Sequence, residues 1–294
     1  MWNKSILKNK YAVVLLLVLS LNSFSCFAKG NNPSSLIQFA SGKNYLTNWN
    51  GKESEMEILS YLTDINNCDK KLSDEEIAES AREIGFNYSI LGNHLLGTYY
   101  FNYAVQLVPN NADYRLDLAL ELWSIGKTDM AKKEFDNAYK LDSTKSDLLK
   151  MYGHFYFCQN QFPKAVEFYT KSLKYNDGEY NSNYQYIMRY IAELHIDKNK
   201  RQTKIVSESR EWPYQIVQYI NGEMDESGLT EYIKNQKDEN GIREKLCEAL
   251  YYLGSYKIAT GDTLNGELMI DQCLNTRLPA FVEYTMALSH VAEK

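Results

Sequence analysis

From about residue 53 to the C-terminus, apolar residues recur every three or four positions, the spacing of helices that each bury one face. Superimposed on this is a longer period. Gly85, Ala119 and Gly153 stand 34 apart, as do Gly97, Ala131 and Ala165, then Phe101, Phe135 and Tyr169, then Ala104, Ala138 and Ser172. Ile84, Leu118 and Tyr152 precede the first small column, and Tyr88, Leu122 and Tyr156 follow it by three. Gly92, Gly126 and Asn160 share the spacing and fall where a turn between two helices belongs. The pattern predicts three antiparallel helix pairs, at about 78–111, 112–145 and 146–179. Small residues sit where backbones approach, and large ones fill the gaps between them.

This repeat resembles the tetratricopeptide (TPR) family, whose period is 34 residues. Pro109 ends the first repeat at that family's usual proline position, and Ser143 and Asp177, which also favour helix boundaries, replace it later. A fourth repeat begins near Cys247: Leu253 and Gly254 match its first helix, Gly261 its turn, and Gly266, Ile270 and Cys273 its second helix. The interval 180–246 is degenerate but reads as helices at Asn183–Ile196, Tyr214–Ile220 and Gly228–Gln236. Ala280 to Ala292 reads as a closing helix that covers the last apolar face, as solenoids require. The fold class expected is all-α: a TPR helix-turn-helix solenoid of about 12–14 helices with an irregular middle and a C-terminal capping helix. The segments are 1–28, 29–72, 73–179, 180–246 and 247–294.

The segment ahead of the repeats divides in three. Lys4, Lys8 and Lys10, then an apolar run from Tyr11 to Leu21, then a polar stretch to Ala28, read as a signal peptide over 1–28. The run is shorter than the ~20 residues that span a membrane. Cleavage after Ala28 and lipidation at Cys26 are both open; Ser25 suits a lipobox, whereas Ser23 and Phe24 do not. Either route takes the chain out of the cytoplasm, to the periplasm or to a lipid anchor at the outer membrane. Lys29 to Lys52 is rich in Asn, Ser and Gly and reads as a loose tether. Glu53 to Ile65 reads as a helix with Met56, Ile58, Leu59, Leu62 and Ile65 on one side, a face for dimer contact or for packing on the chain's own first repeat. Ser73, with Asp74, Glu75 and Glu76 after it, marks the next helix start.

Composition narrows the function classes. The 294 residues carry a net charge of −6 with acids and bases interspersed, so no basic surface argues for nucleic acid. With 15 Gly and 5 Pro there are few turns for an all-β fold. No nucleophile elbow, phosphate loop or zinc-protease helix occurs. His94, His154, His195 and His290 are far apart in sequence and read as surface or packing residues. The chain is therefore read as a binder and not an enzyme, with no cofactor and no metal.

Beyond the repeat, residues from about Lys71 to Ala287 resemble NlpI, a family of envelope TPR lipoproteins of Gram-negative bacteria. Trp212, Ile216, Val217, Gly222 and Leu229 resemble the helix pair of its irregular middle. Tyr252, Leu253, Gly254, Tyr256, Gly261 and Asp262 resemble its last repeat, and Phe281, Val282, Glu283, Ala287 and Leu288 its terminal helix. The resemblance implies a periplasmic homodimer that acts as an adaptor, presenting peptidoglycan hydrolases to a tail-specific, C-terminal processing protease. The alternative is a general TPR assembly factor for secretion or surface-structure biogenesis. The family's good lipobox is missing here.

On the TPR pattern, the face lined by the first helices includes Phe86, Leu116, Leu120, Trp123, Lys150, His154 and Phe157. One reading is ordinary inter-helix core; the other is an apolar groove for a partner's helix or tail, with Trp123 as its aromatic anchor. The lysines and asparagines that would clamp a terminal carboxylate are missing. Four cysteines follow the signal: Cys68, Cys158, Cys247 and Cys273. They read as buried thiols, or with Cys247 and Cys273 bridged, since both fall at the open end of one helix pair. The basic run Lys198, Lys200, Arg201 and Lys204 reads as a solvated helix end.

Overall fold

The structure, a computed structural model, describes residues 34–41, 52–67, 72–176 and 182–292. The signal segment 1–28 with Cys26 and Ala28, and also Cys68, lie outside these. Among the described residues the chain is all-α: fourteen α-helices, one short 3-10 helix and no strand. The helices are α1 Ser35–Ser41, α2 Lys52–Asn67, α3 Asp74–Ile90, α4 His94–Leu107, α5 Ala112–Ser124, α6 Thr128–Leu141, α7 Ser146–Cys158 and α8 Phe162–Tyr175. There follow α9 Asn183–Ile196, α10 Tyr214–Ile220, α11 Glu226–Lys234, α12 Glu239–Thr260, α13 Thr263–Asn275 and α14 Val282–Ala292.

The pairs α3/α4, α5/α6, α7/α8 and α12/α13 are the helix-turn-helix units of the solenoid; the first three stack in succession, and α9 packs between α8 and α12. Each starts and turns for local reasons. Ser73 caps α3 in a reciprocal box, its hydroxyl accepting from Glu76 N while Ser73 N donates to Glu76 Oε2 at 2.8 Å. Asn111 caps α5 through Asp113 N and Tyr114 N. The turn column is a set of left-handed residues: Gly92 at φ 72°, Gly126 at 71°, Asn160 at 55° and Gly261 at 96°. In each turn the next amide reaches five residues back, as Asn93 N does to Tyr88 O and Lys127 N to Leu122 O, both at 2.8 Å. Glycine adopts this conformation without strain, and asparagine is the usual substitute.

The small and aromatic columns meet in space. A Cβ on Gly85 would stand 2.9 Å from Phe101 Cε1, and one on Gly153 would stand 2.6 Å from Tyr169 Cε1, so the rings lie flat against bare backbone. Gly97, Ala104, Ala119, Ala131, Phe135, Ala138 and Ala165 are buried in the same layers. In α12/α13 the contact is backbone to backbone: a Cβ on Gly266 would lie 2.7 Å from Gly254 O.

Three features depart from the sequence reading. First, α1 lies inside the stretch read as a tether. Leu36 is fully buried, Leu36 N donates to Glu226 Oε1 at 3.1 Å, and Ser35 Oγ sits 3.0 Å from Thr230 Oγ1, so α1 docks on α11, α12 and α13. Second, α12 begins at Glu239, ahead of Cys247, because Asp238 caps it through Gly241 N. Third, α14 does more than close the final pair. The chain turns at Arg277 (φ 54°), and α14 packs on α12 and α13 and also against α5 and α7.

Candidate functional site

The first helices α5 and α7 present one face, and α14 lies on it. Ser124 Oγ and Thr285 Oγ1 are 2.9 Å apart, and the Cys158 thiol donates to Met286 O at 3.9 Å. Met286 and Ala287 are fully buried. His290 Nε2 meets Glu267 Oε2 at 2.9 Å and holds the far end of α14 to α13.

The seven residues read from the pattern as a groove divide accordingly. Leu116, Trp123, His154 and Phe157 are buried, and the Trp123 ring packs edge-on to Phe155 at 5.7 Å. Trp123 is thus interior in this conformation and presents no open surface to a partner. His154 Nδ1 is 2.9 Å from the Tyr169 hydroxyl, and burial, with Lys150 nearby, lowers the imidazole to about 3, so it stays neutral. Phe157 meets the rings of Phe162 and His195. Lys150 pairs with Asp147 at 2.8 Å. Phe86 and Leu120 are only half buried, and they line a cavity of about 350 Å³.

That cavity opens between α2, α3, α5 and the start of α14. Its apolar walls are Phe86, Phe101, Leu120 and Val282; Pro279 and Ala280 close one side. Its polar lining is acidic: Glu57, Glu83, Asp117 and Glu121. Burial pushes Asp117 up to about 7, against the pull of Arg82, whose Nε donates to Asp117 Oδ2 at 2.6 Å. Glu121 is held by His94 Nδ1 at 3.0 Å. Gly97 leaves room for this carboxylate, since a Cβ there would displace Glu121 Oε1.

A second acidic group anchors α14 from behind. Glu283 is buried and accepts from the Tyr252 hydroxyl. Glu248 accepts from Trp212 Nε1 and, at 3.2 Å, from the Tyr184 hydroxyl. Burial first, and then the neighbouring Glu283, push Glu248 up to about 8; burial also raises Glu283. Sequence reasoning gave Asp117, Glu121 and Glu248 no role and took Glu283 only as part of the terminal-helix resemblance. The available signal was that Asp117, Glu121 and Glu283 each interrupt an otherwise apolar helix face, and buried charge needs a partner.

The Cys247 and Cys273 sulfurs are 3.5 Å apart, buried and unbonded. His195 stacks on Phe162 at 4.1 Å. Of the basic run, Lys200 and Lys204 pair with Glu193 and Glu223, and an Arg201 Nη donates to Thr260 O. Among the described residues no group of three or more His, Cys, Asp or Glu side chains could hold a metal ion. No described helix is long and apolar enough to cross a membrane.

The fold and this face define an all-α solenoid of TPR type. Among solved structures the chain is similar to PilF of Pseudomonas aeruginosa, with a TM-score of 0.43 and 17% identity over 75% of this chain and 99% of that one. It is also similar to PilW, a type IV pilus biogenesis factor, with a TM-score of 0.42 and 14% identity over 72% of this chain and 98% of that one. No protein-family model matches the sequence, and no curated protein does.

Proposed function

We propose that the chain is a non-catalytic adaptor of the bacterial cell envelope that binds other polypeptides along the face formed by α3, α5 and α7. One observation carries the reading: the α5 and α7 part of that face already holds a helix, α14, through apolar burial at Met286 and a polar tie at Ser124 and Thr285. A surface shaped for one amphipathic helix is chemically suited to another, and helix-in-groove docking is a recurrent mode of recognition.

Two finer readings differ only in the partner. The broader, an assembly factor for secretion or surface-structure biogenesis, asks for nothing beyond a helix-binding face. The narrower, an NlpI-like adaptor that brings peptidoglycan hydrolases to a periplasmic tail-specific protease, draws on Trp212, Gly222 and Phe281 to Glu283. Both place the mature chain in the periplasm, with a lipid anchor if Cys26 is modified. A homodimer fits the exposed apolar side chains beside the first repeat: Met56 and Leu59 on α2, Leu95 and Tyr99 on α4. Affinity capture of the mature chain from envelope extract, read by mass spectrometry, tests the proposal. Recovery of secretion or surface-assembly components supports the broader reading, and recovery of a protease with wall hydrolases the narrower. Recovery of neither overturns the adaptor assignment.

A further inference from the structure

The cavity between α2, α3, α5 and the start of α14 has an unusual lining for a solenoid groove. Among the described residues no lysine or arginine lines it. Of its four acids, Asp117 and Glu121 are engaged by Arg82 and His94, whereas Glu57 and Glu83 have no ion pair among the described residues. Asn87 adds an acceptor. It is 3% exposed, its Nδ2 donates to Glu83 O at 3.0 Å, and its buried Oδ1 receives no hydrogen bond. Buried carbonyl oxygens are nearly always satisfied, so this one calls for a donor. Phe86, Leu120 and Val282 give the same cavity an apolar wall. That wall tolerates a cation: the Arg82 guanidinium lies 4.9 Å from the Phe86 ring centre.

We propose that this cavity binds the cationic head of a ligand with an apolar stem, an ammonium or a guanidinium, with Glu57, Glu83 and Asn87 Oδ1 accepting from the head and Phe86, Leu120 and Val282 covering the stem. A divalent metal suits the site less well. It would want six or more oxygens converging on one point, and here two of the four carboxylates already serve Arg82 and His94. The head can come from an arginine or lysine of a bound polypeptide or from a free alkyl cation. The polypeptide source rests on the adaptor reading; the cation site does not.

The test is calorimetric titration of the full mature chain. One arm uses butylguanidinium and hexylammonium against hexanol and hexanoate. The other uses an acetylated Leu-Arg-Leu amide against the same peptide with citrulline, a neutral isostere, in place of arginine. Both cations are expected to bind saturably, and hexanol and hexanoate at least tenfold more weakly. Glu83→Gln, in a half-buried residue with no ion pair, is expected to weaken the cations tenfold or more without changing the melting temperature. The exposed Glu57→Gln is the second variant should the first unfold, with the same direction expected. Saturable binding by the arginine peptide but not the citrulline peptide assigns a polypeptide source. Binding by the alkyl cations alone assigns a free cation and counts against the adaptor's use of this cavity, leaving the site itself intact. No saturable binding by any cation, equal binding by hexanol, or a Glu83→Gln variant that binds as before overturns the proposal.

Discussion

Ser124 Oγ and Thr285 Oγ1 stand 2.9 Å apart, although 161 residues separate them in sequence. The contact joins the end of α5 to the middle of α14 and fixes the C-terminal helix against the repeats. Truncating Met286, fully buried beside it, removes apolar surface and leaves a cavity. Met286→Ala is expected to cost about 2–5 kcal/mol. Ser124→Ala and Thr285→Val made together remove both polar partners and are expected to cost less than about 1 kcal/mol. Urea denaturation checks both values.

The glycine columns give a prediction of unusual sign. In an open helix, Gly→Ala stabilises by about 0.5–1 kcal/mol. At Gly153 the added carbon would stand 2.6 Å from Tyr169 Cε1, so Gly153→Ala is expected to destabilise by about 1–3 kcal/mol. Gly153→Ala combined with Tyr169→Leu is expected to recover part of the loss, which thermal denaturation of the double mutant would show.

Stability is expected to fall towards both ends of the pH range, for two separable reasons. Glu248, pushed up to about 8 by burial and by Glu283, keeps its proton in the folded chain while the unfolded chain releases it above about pH 4.5. Its contribution is complete below that pH and is lost as pH rises towards 8. His154, lowered to about 3 by burial, has the opposite sign: its contribution is present above about pH 6.5 and is lost as pH falls through the window down to about 3. Glu248→Gln is expected to flatten the alkaline limb of melting temperature against pH by several degrees and leave the acid limb. His154→Phe is expected to flatten the acid limb alone.

With sulfurs 3.5 Å apart and no exposed surface, Cys247 and Cys273 are positioned to join under oxidation once the pair opens transiently. Incubation with oxidised glutathione is expected to give one peptide pair linked through these residues, lighter by two hydrogens. Peptide mapping that finds both thiols free, or joined to other cysteines, would count against it.

How much of this was legible in the sequence follows from range. The columns at 34 residues encode contacts between neighbouring helices, such as Gly85 with Phe101, and the turns at Gly92, Gly126 and Asn160 are local. Both could be read directly, as could α9 and α10. The docking of α1 and the placement of α14 across α5 depend on contacts between residues 161 to 195 apart, for which the sequence carries no period. Trp123 shows the cost: its place on a first helix puts it on the face of α5 and α7 but does not say that residues 282–292 cover that face. Asp117 and Glu121 were visible as acids on an apolar face, yet their partners, Arg82 and His94, lie on α3 and α4 and come together only in the fold.

The central claim is that the face of α3, α5 and α7 binds a helix. The most direct test removes the resident one and returns it from outside. A chain ending at Leu278, its helical content confirmed by circular dichroism, is titrated with a fluorescent peptide of residues 279–292 and followed by anisotropy. The account predicts saturable binding that weakens at least tenfold when the peptide carries Met286→Asp. Anisotropy that does not saturate, or a Met286→Asp peptide that binds as tightly as the natural one, would contradict it.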